Sequence, residues 1–228
     1  MKQPIDAPWA TAQRAIDYVR DGQTLGLGSG RAAAAFVEVL GEKVRAGLRV
    51  RGVPTSAATG ELATQAGIPL VTLADAGELD VAFDGADEVA PNLDLVKGYG
   101  GALVRERIVA ASARRFVVLV GAEKLVSTLG ERGRIPIEIV PYALPLARRQ
   151  LASLGLEPVL RTQSDGTPYV TDNGNWILDC GTHAVPDAAA LEMRARAVPG
   201  VVGTGLFLGM ANVVLVQQDT QVRVLERR

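Results

Sequence analysis

T-L-G-L-G-S-G-R-A-A-A-A-F-V-E-V-L, Thr24 to Leu40, decides how this chain folds. Thr24 to Leu27 reads as a short strand, Gly28-Ser29-Gly30 as a tight turn, and Ala32 to Val44 as a helix. A strand that enters a helix through glycines is the opening of a parallel α/β unit. Upstream, Trp9, Ala12, Ile16 and Val19 have helical spacing, and the helix is expected to stop at Asp21-Gly22. Downstream the alternation continues. Leu48 to Val53 is a strand, Thr55 or Ser56 can cap a helix through Ala66, and Leu79 to Phe83 is a strand ending at Asp84-Gly85. Ala102 to Ala113 is a helix and Phe116 to Val120 a strand.

The rhythm changes after about Gly130. Short strands are expected at Ile135 to Val140, Pro158 to Arg161, Tyr169 to Val170 and Trp176 to Asp179, with helices near Pro145–Leu154 and Asp187–Ala197. That order suits a split β-α-β-β-α-β unit. The tail returns to apolar strands, Val213 to Val216 and Val222 to Leu225, expected to complete the main sheet. The expected organisation is an α/β domain of residues 1–130 and 203–228 and a smaller α+β domain of residues 131–202.

Composition narrows the function. The 228 residues carry 24 basic and 25 acidic side chains, which argues against a general nucleic-acid or anionic-membrane binder. Hydrophobic residues make up 48% and aromatic residues 4%, so the core is aliphatic, as parallel strands covered by helices require. A single cysteine, Cys180, excludes an intramolecular disulfide and a Cys-based zinc cluster, and fits a reducing, cytoplasmic setting. Met1 to Asp17 has charges where a secretory leader would be apolar. The longest charge-free stretch, between Arg196 and Asp219, is broken by Pro199, Gly200, Gly203, Gly205 and Gly209, so no membrane span is expected.

Four loops follow predicted strands, where open parallel sheets bind ligands. In Gly26 to Arg31, Arg31 stands where a dinucleotide fingerprint wants glycine, no acid follows the second strand, and no Walker lysine is present. A small-phosphate loop or a tight helix–sheet turn remains. Gly52 to Thr59 offers hydroxyls, each of which also serves as an ordinary helix cap. D-V-A-F-D-G-A-D-E-V, Asp80 to Val89, crowds Asp84, Asp87 and Glu88 into five residues. Such acids repel unless a divalent cation, a proton or a lysine such as Lys97 answers them, or the turn is simply solvated. The fourth loop, Gly98-Tyr99-Gly100-Gly101, opens the helix carrying Arg105-Glu106-Arg107. There the helix dipole favours ionised Glu106, as a proton-abstracting base requires. Lys124 follows the next strand and is either a phosphate contact or a solvated helix residue. His183, the only histidine, lacks the serine elbow of a hydrolase.

At these residues the chain resembles the type A ribose-5-phosphate isomerases. The resemblance rests on G-L-G-S-G (Gly26–Gly30), G-V-P-T-S-A-A-T (Gly52–Thr59), F-D-G-A-D-E-V (Phe83–Val89) and L-V-K-G-Y-G-G-A-L-V-R-E-R-I-V (Leu95–Val109). It continues through E-K-L-V-S-T-L-G, P-I-E-I-V-P-Y-A, V-T-D-N-G-N-W-I-L-D and V-P-G-V-V-G-T-G-L-F. It implies a Rossmann-like parallel-sheet domain with a smaller α+β, ferredoxin-like domain, assembled as a homodimer or homotetramer. It implies interconversion of ribose 5-phosphate and ribulose 5-phosphate, in the pentose phosphate pathway, without metal or organic cofactor. Carried across, the catalytic set is Glu106, Asp84, Asp87 and Lys97. The substrate contacts fall on Ser29, Gly30, Arg31, Ala32, Gly85, Ala86, Gly98, Tyr99, Gly100 and Lys124.

Arg31 and Ala32 replace two hydroxyl residues of the family pattern, and Tyr99 replaces a glycine, so Tyr99 is strained if its position needs positive φ. Two other readings stay open: a non-catalytic sugar-phosphate-binding protein on the same scaffold, and a CoA-transferase-like enzyme with Glu106 as nucleophile.

Overall fold

The computed structural model describes residues 9–219 and 221–227. The opening residues 1–8, part of the stretch expected to hold no apolar leader, lie outside the described residues. In chain order the elements are α1 (Trp9–Ala15), β1 (Thr24–Leu27), α2 (Gly30–Arg45), β2 (Arg51–Pro54), α3 (Ala57–Gln65), α4 (Leu73–Ala76), β3 (Leu79–Gly85), β4 (Glu88–Val89), β5 (Leu95–Val96) and α5 (Leu103–Ala111). There follow β6 (Ala113–Gly121), β7 (Arg134–Ile139), α6 (Leu144–Ser153), β8 (Glu157–Leu160), β9 (Trp176–Gly181), α7 (Ala188–Arg196), β10 (Val201–Thr204), β11 (Leu206–Phe207), β12 (Val213–Gln218) and β13 (Gln221–Glu226). Among the described residues no helix is long and apolar enough to cross a membrane.

The chain divides into two compact units. The first holds the chain through Ala86, Arg105–Lys124 and the chain from Met210. Its six-stranded sheet has the order β13-β12-β6-β3-β1-β2, and every neighbouring pair is parallel except the edge strand β13. Alternation along the strands sets two faces. Leu25, Leu27, Val81, Phe83, Val117 and Leu119 join Ala12, Ala15, Phe36 and Leu40 of α1 and α2 in one core. Phe36 stacks on Phe83 with ring centroids 4.1 Å apart. Each of the Leu, Val and Phe side chains contributes about 1.5–3 kcal/mol on burial. On the other face Gly26 of β1 and Ala82 of β3 are small. A Cβ on Gly26 would lie 2.5 Å from Val109 of α5 and 2.8 Å from the Ala82 Cβ. Glycine at position 26 thus lets the helix carrying Glu106 settle against the sheet.

The second unit holds Asp87–Val104 and Leu125–Gly209. Its four-stranded sheet runs β10-β7-β9-β8, all antiparallel, with α6 and α7 as the two connections. This is the split β-α-β-β-α-β, ferredoxin-like pattern. Ile135, Ile137, Leu178 and Cys180 pack with Ala147, Leu151, Ala195 and Val198. A three-stranded antiparallel sheet, β11-β5-β4, also belongs to this unit. Residues 131–202, the expected smaller domain, all lie in the second unit. The small sheet brings in β4 and β5 from upstream and β11 from downstream.

Local boundaries differ from the sequence expectation: β2 starts at Arg51 and not Leu48, α5 ends at Ala111 and not Ala113, and three further differences have a visible cause. The first helix stops at Ala15 and tightens into a 3₁₀ turn, Ile16–Tyr18. The strand expected at Phe116 starts at Ala113, where exposed Arg114 and Arg115 hide its pattern. Tyr169–Val170 is not a strand; only isolated bridges, Thr162 to Pro168 and Val170 to Trp176, form there. Pro168 has no N–H to extend a ladder.

Cys180 is fully buried in β9, and burial pushes its thiol far up from the ordinary range. The thiol is therefore expected to stay unmodified by an aromatic disulfide reagent in the native protein and to react stoichiometrically in denaturant. Absorbance of the released thiolate checks this; rapid native labelling would place the residue outside the core.

Candidate active site

In the first unit, β1, β2, β3 and β6 all end at one edge of the sheet, and β2 and β3 flank β1 on opposite sides. The reversal of strand order between β1 and β3 makes the crevice in which such sheets bind ligands. Asp84, 3% exposed, sits there near the end of β3. Its Oδ1 accepts hydrogen bonds from the Ser29 N–H (3.0 Å) and the Gly85 N–H (2.8 Å). Gly28 makes the approach possible: a Cβ there would lie 2.2 Å from the Asp84 Cγ.

Ser29 is the N-cap of α2, yet its hydroxyl makes no capping bond. It turns instead to the Thr55 hydroxyl (2.7 Å) and donates to the Ser56 Oγ (3.1 Å). The Thr59 hydroxyl donates to the Gly28 carbonyl (2.9 Å), tying the second loop to the first. Ser56 does serve as the ordinary cap expected of it, accepting from the Thr59 N–H. The start of the 16-residue α2 therefore lacks a side-chain cap, the condition under which a helix N-terminus receives an anion. Gly30 holds φ +84°, a conformation that favours glycine. Arg31 is exposed and Ala32 half-buried. Gly85 and Ala86, also half-buried, end this unit's part of the loop. Lys124 ends the 3₁₀ turn Ala122–Lys124 after β6. Glu106, 5% exposed, stands in the first turn of α5.

In the second unit the Asp87 N–H donates to the Val96 carbonyl (2.8 Å), and its carboxylate accepts the Tyr99 N–H (3.0 Å). Lys97, 3% exposed, donates its N–H to the Gly205 carbonyl, and its Nζ lies 5.5 Å from the centre of the Phe207 ring. Positive φ falls on Gly98 (+102°) and Gly101 (+90°) and not on Tyr99, so the tyrosine is accommodated without backbone strain. Its ring stacks under the Arg134 guanidinium at 4.2 Å and its hydroxyl donates to the Arg134 carbonyl (3.3 Å). Burial, and then the nearby Glu88 and Asp87, push its phenol upward. Gly100 is exposed.

The three crowded acids have separate fates. Asp84 is held by the amides of Ser29 and Gly85 and Asp87 by that of Tyr99. Glu88, completely buried, accepts the N–H groups of Gly130 (2.6 Å) and Arg132 (2.8 Å). Burial pushes the Glu88 carboxyl upward from its ordinary range. Glu88 is thus a brace within the second unit. Among the described residues no three His, Cys, Asp or Glu side chains converge as metal ligands do. His183 is exposed. Sequence reasoning missed Arg161, whose Nη1 donates to the carbonyls of Gly98 and Tyr99 (both 3.1 Å) from some sixty residues downstream. No local spacing signals such a contact.

Residues 51–221 match the family described as ribose 5-phosphate isomerase A (phosphoriboisomerase A). A ribose-5-phosphate isomerase A from Roseiflexus castenholzii is 51% identical over 217 residues, covering 94% of this chain and 93% of the relative. The structure of ribose 5-phosphate isomerase A from Methanocaldococcus jannaschii aligns with TM-score 0.92 at 42% identity, covering 96% of this chain and 97% of that one. A D-ribose-5-phosphate isomerase in complex with phospho-erythronic acid aligns with TM-score 0.94 at 37% identity over 96% and 97%. This chain belongs to the ribose 5-phosphate isomerase A family.

Proposed function

We propose that the chain interconverts D-ribose 5-phosphate and D-ribulose 5-phosphate in the non-oxidative branch of the pentose phosphate pathway, using no metal or organic cofactor. Beside family membership, the observation that carries this reading is buried Asp84 at the end of β3, held by the Ser29 N–H at the start of α2, which has no side-chain cap. Asp84, Lys97 and Glu106 are each at most 5% exposed. Burying such groups is unfavourable unless partners or chemistry compensate.

Aldose–ketose isomerisation opens the furanose, removes the C2 proton, and returns a proton to C1 through an enediolate. Glu106, in the first turn of α5, is the base that takes and returns that proton. Asp84 gives acid–base help in ring opening. The Lys97 ammonium offsets the negative oxygen of the enediolate, a contribution of about 10²–10³-fold for a well-placed donor. Asp87 orders the loop that follows Lys97 through the Tyr99 amide. The phosphate and sugar are held by Ser29, Gly30, Arg31 and Ala32 at the start of α2, by Gly85 and Ala86, by Gly98, Tyr99 and Gly100, and by Lys124.

Ribulose 5-phosphate formation by the purified protein in EDTA tests the reading. Sustained turnover supports it. A folded protein that binds ribose 5-phosphate without turnover favours the non-catalytic alternative. Arg31 supplies charge where the family pattern has a hydroxyl. Because it is exposed, Arg31→Ala is expected to raise KM for ribose 5-phosphate by up to about fivefold at nearly constant kcat. An unchanged KM at low salt would make Arg31 a solvated helix residue.

The proposed setting is the cytoplasm, consistent with a lone buried thiol. The proposed assembly is a homodimer or homotetramer, supported by exposed Val140, Tyr142, Val159 and Met193 on the second unit. Sedimentation equilibrium distinguishes these from a monomer.

A further inference from the structure

The loop Gly98–Gly101 lies on the second unit's antiparallel sheet: a Cβ on Gly98 would meet Pro136 of β7 at 3.3 Å. Arg161, immediately after β8, reaches this loop with a side chain only 12% exposed. One edge of its guanidinium is fully engaged by Asp179 of β9, through Nε to Oδ2 (2.9 Å) and Nη2 to Oδ1 (2.6 Å). This fork-to-fork pairing fixes the plane of the guanidinium. Arg134 approaches the same carboxylate at 3.7 Å. The remaining nitrogen, Nη1, donates to two successive carbonyls, Gly98 O and Tyr99 O. Tyr169 closes the other side: its ring lies 5.8 Å from the Arg161 Cζ, and a Cβ on Gly101 would meet its hydroxyl at 2.4 Å.

A trans peptide is planar, so its C=O and N–H point in opposite directions. Holding the Gly98 carbonyl on Arg161 therefore aims the Tyr99 N–H away from it, where the Asp87 carboxylate accepts it. Holding the Tyr99 carbonyl aims the N–H of exposed Gly100 away from Arg161. Glycine-rich segments have many alternative peptide orientations; here one guanidinium restrains two successive peptides, and the Gly101 N–H also donates to the Gly98 carbonyl (3.0 Å).

We propose that Arg161, locked by Asp179, is a positioning residue that sets the peptide planes of the loop following Lys97. It thereby presents the Gly100 N–H to substrate and keeps Lys97 in register. The role in turnover rests on the isomerase reading above; the ordering of the loop does not.

The test compares full-length wild type with Arg161→Met, Arg161→Lys and Asp179→Asn. Hydrogen exchange of the Tyr99 amide, steady-state kinetics with ribose 5-phosphate and Tm are measured for each. Arg161→Met is expected to speed Tyr99 exchange at least about tenfold while exchange in α6 and α7 stays at wild-type rates. The same variant is expected to lower kcat/KM by about 10–10²-fold. Arg161→Lys, which can reach a carbonyl but cannot pair with Asp179 through a fork, should recover part of both effects. Asp179→Asn should show both in smaller measure. Should Arg161→Met fail to fold, the other two variants carry the comparison. Unchanged Tyr99 exchange overturns the proposal, as does exchange that rises equally throughout the second unit, which is loss of global stability. Faster loop exchange with wild-type kcat and KM overturns the role in turnover. A wild type without turnover refutes the isomerase reading instead, and loop exchange alone then decides whether Arg161 is a clamp.

Discussion

Glu106→Gln lowers kcat for ribose 5-phosphate by at least about 10²-fold and leaves KM within a few-fold of wild type. The substitution keeps the size of the side chain and its place in the first turn of α5, and removes only the capacity to take a proton. Val109, one turn along the same helix, stays seated over Gly26, so the helix keeps its position on the sheet. The loss should therefore appear in the chemical step and not in binding. Glu106→Asp is a second probe. Withdrawing the carboxylate by one methylene, on the order of 1 Å, is enough to lose about 10²-fold where the geometry of proton transfer is tight. Solvent deuterium exchange at C2 of the sugar phosphate should fall in parallel with kcat in both variants. Near-normal turnover in Glu106→Gln would remove Glu106 from the proton path. An acyl adduct on Glu106 after incubation with an acyl-CoA would support the CoA-transferase-like reading instead.

The main sheet was legible because its strands announce themselves. Leu79 to Phe83 and Phe116 to Val120 are apolar runs, each beside a helix of opposite period, and Thr24 to Leu40 shows the strand–turn–helix junction directly. The split β-α-β-β-α-β order of the second unit was readable for the same reason. The three-stranded sheet was not. Glu88–Val89, Leu95–Val96 and Leu206–Phe207 are two residues each, too short for any alternation to show. Local crowding identified Asp84, Asp87 and Glu88 together, but could not tell that Glu88 spends both carboxylate oxygens on the backbone near Gly130. That depends on a segment some forty residues away. Tyr99 in place of glycine suggested strain, which is absent because the left-handed conformations fall on its neighbours Gly98 and Gly101. Arg161 carried no signal at all, since its partners are two backbone carbonyls of a distant loop and an aspartate of β9. Residue type reveals chemistry most readily where reactive groups are close in sequence, and least where one side chain orders another segment's backbone.

Gly28→Ala should affect turnover more strongly than its chemistry suggests. The added Cβ would lie 2.2 Å from both Cγ and Oδ1 of Asp84 and 2.6 Å from its Cβ, so the carboxylate has to move. Moving it breaks the bonds from the Ser29 and Gly85 amides that fix its direction. The overpacking alone is expected to destabilise the fold by about 1–3 kcal/mol. For a chain of this length that is a fall in Tm of roughly 2–12 °C. If Asp84 acts in ring opening, kcat falls as well, by about 10²-fold, because a displaced acid cannot reach the ring oxygen. Gly30→Ala separates the two effects. Nothing lies within 4 Å of a Cβ there, but its φ of +84° penalises any other residue by about 1 kcal/mol. Gly30→Ala should therefore lower Tm and raise KM, through the start of α2, with much less loss of kcat. Differential scanning calorimetry with steady-state kinetics reads both variants. Wild-type kcat in a folded Gly28→Ala protein would show that the Asp84 carboxylate relocates without consequence, and would take Asp84 out of the reaction.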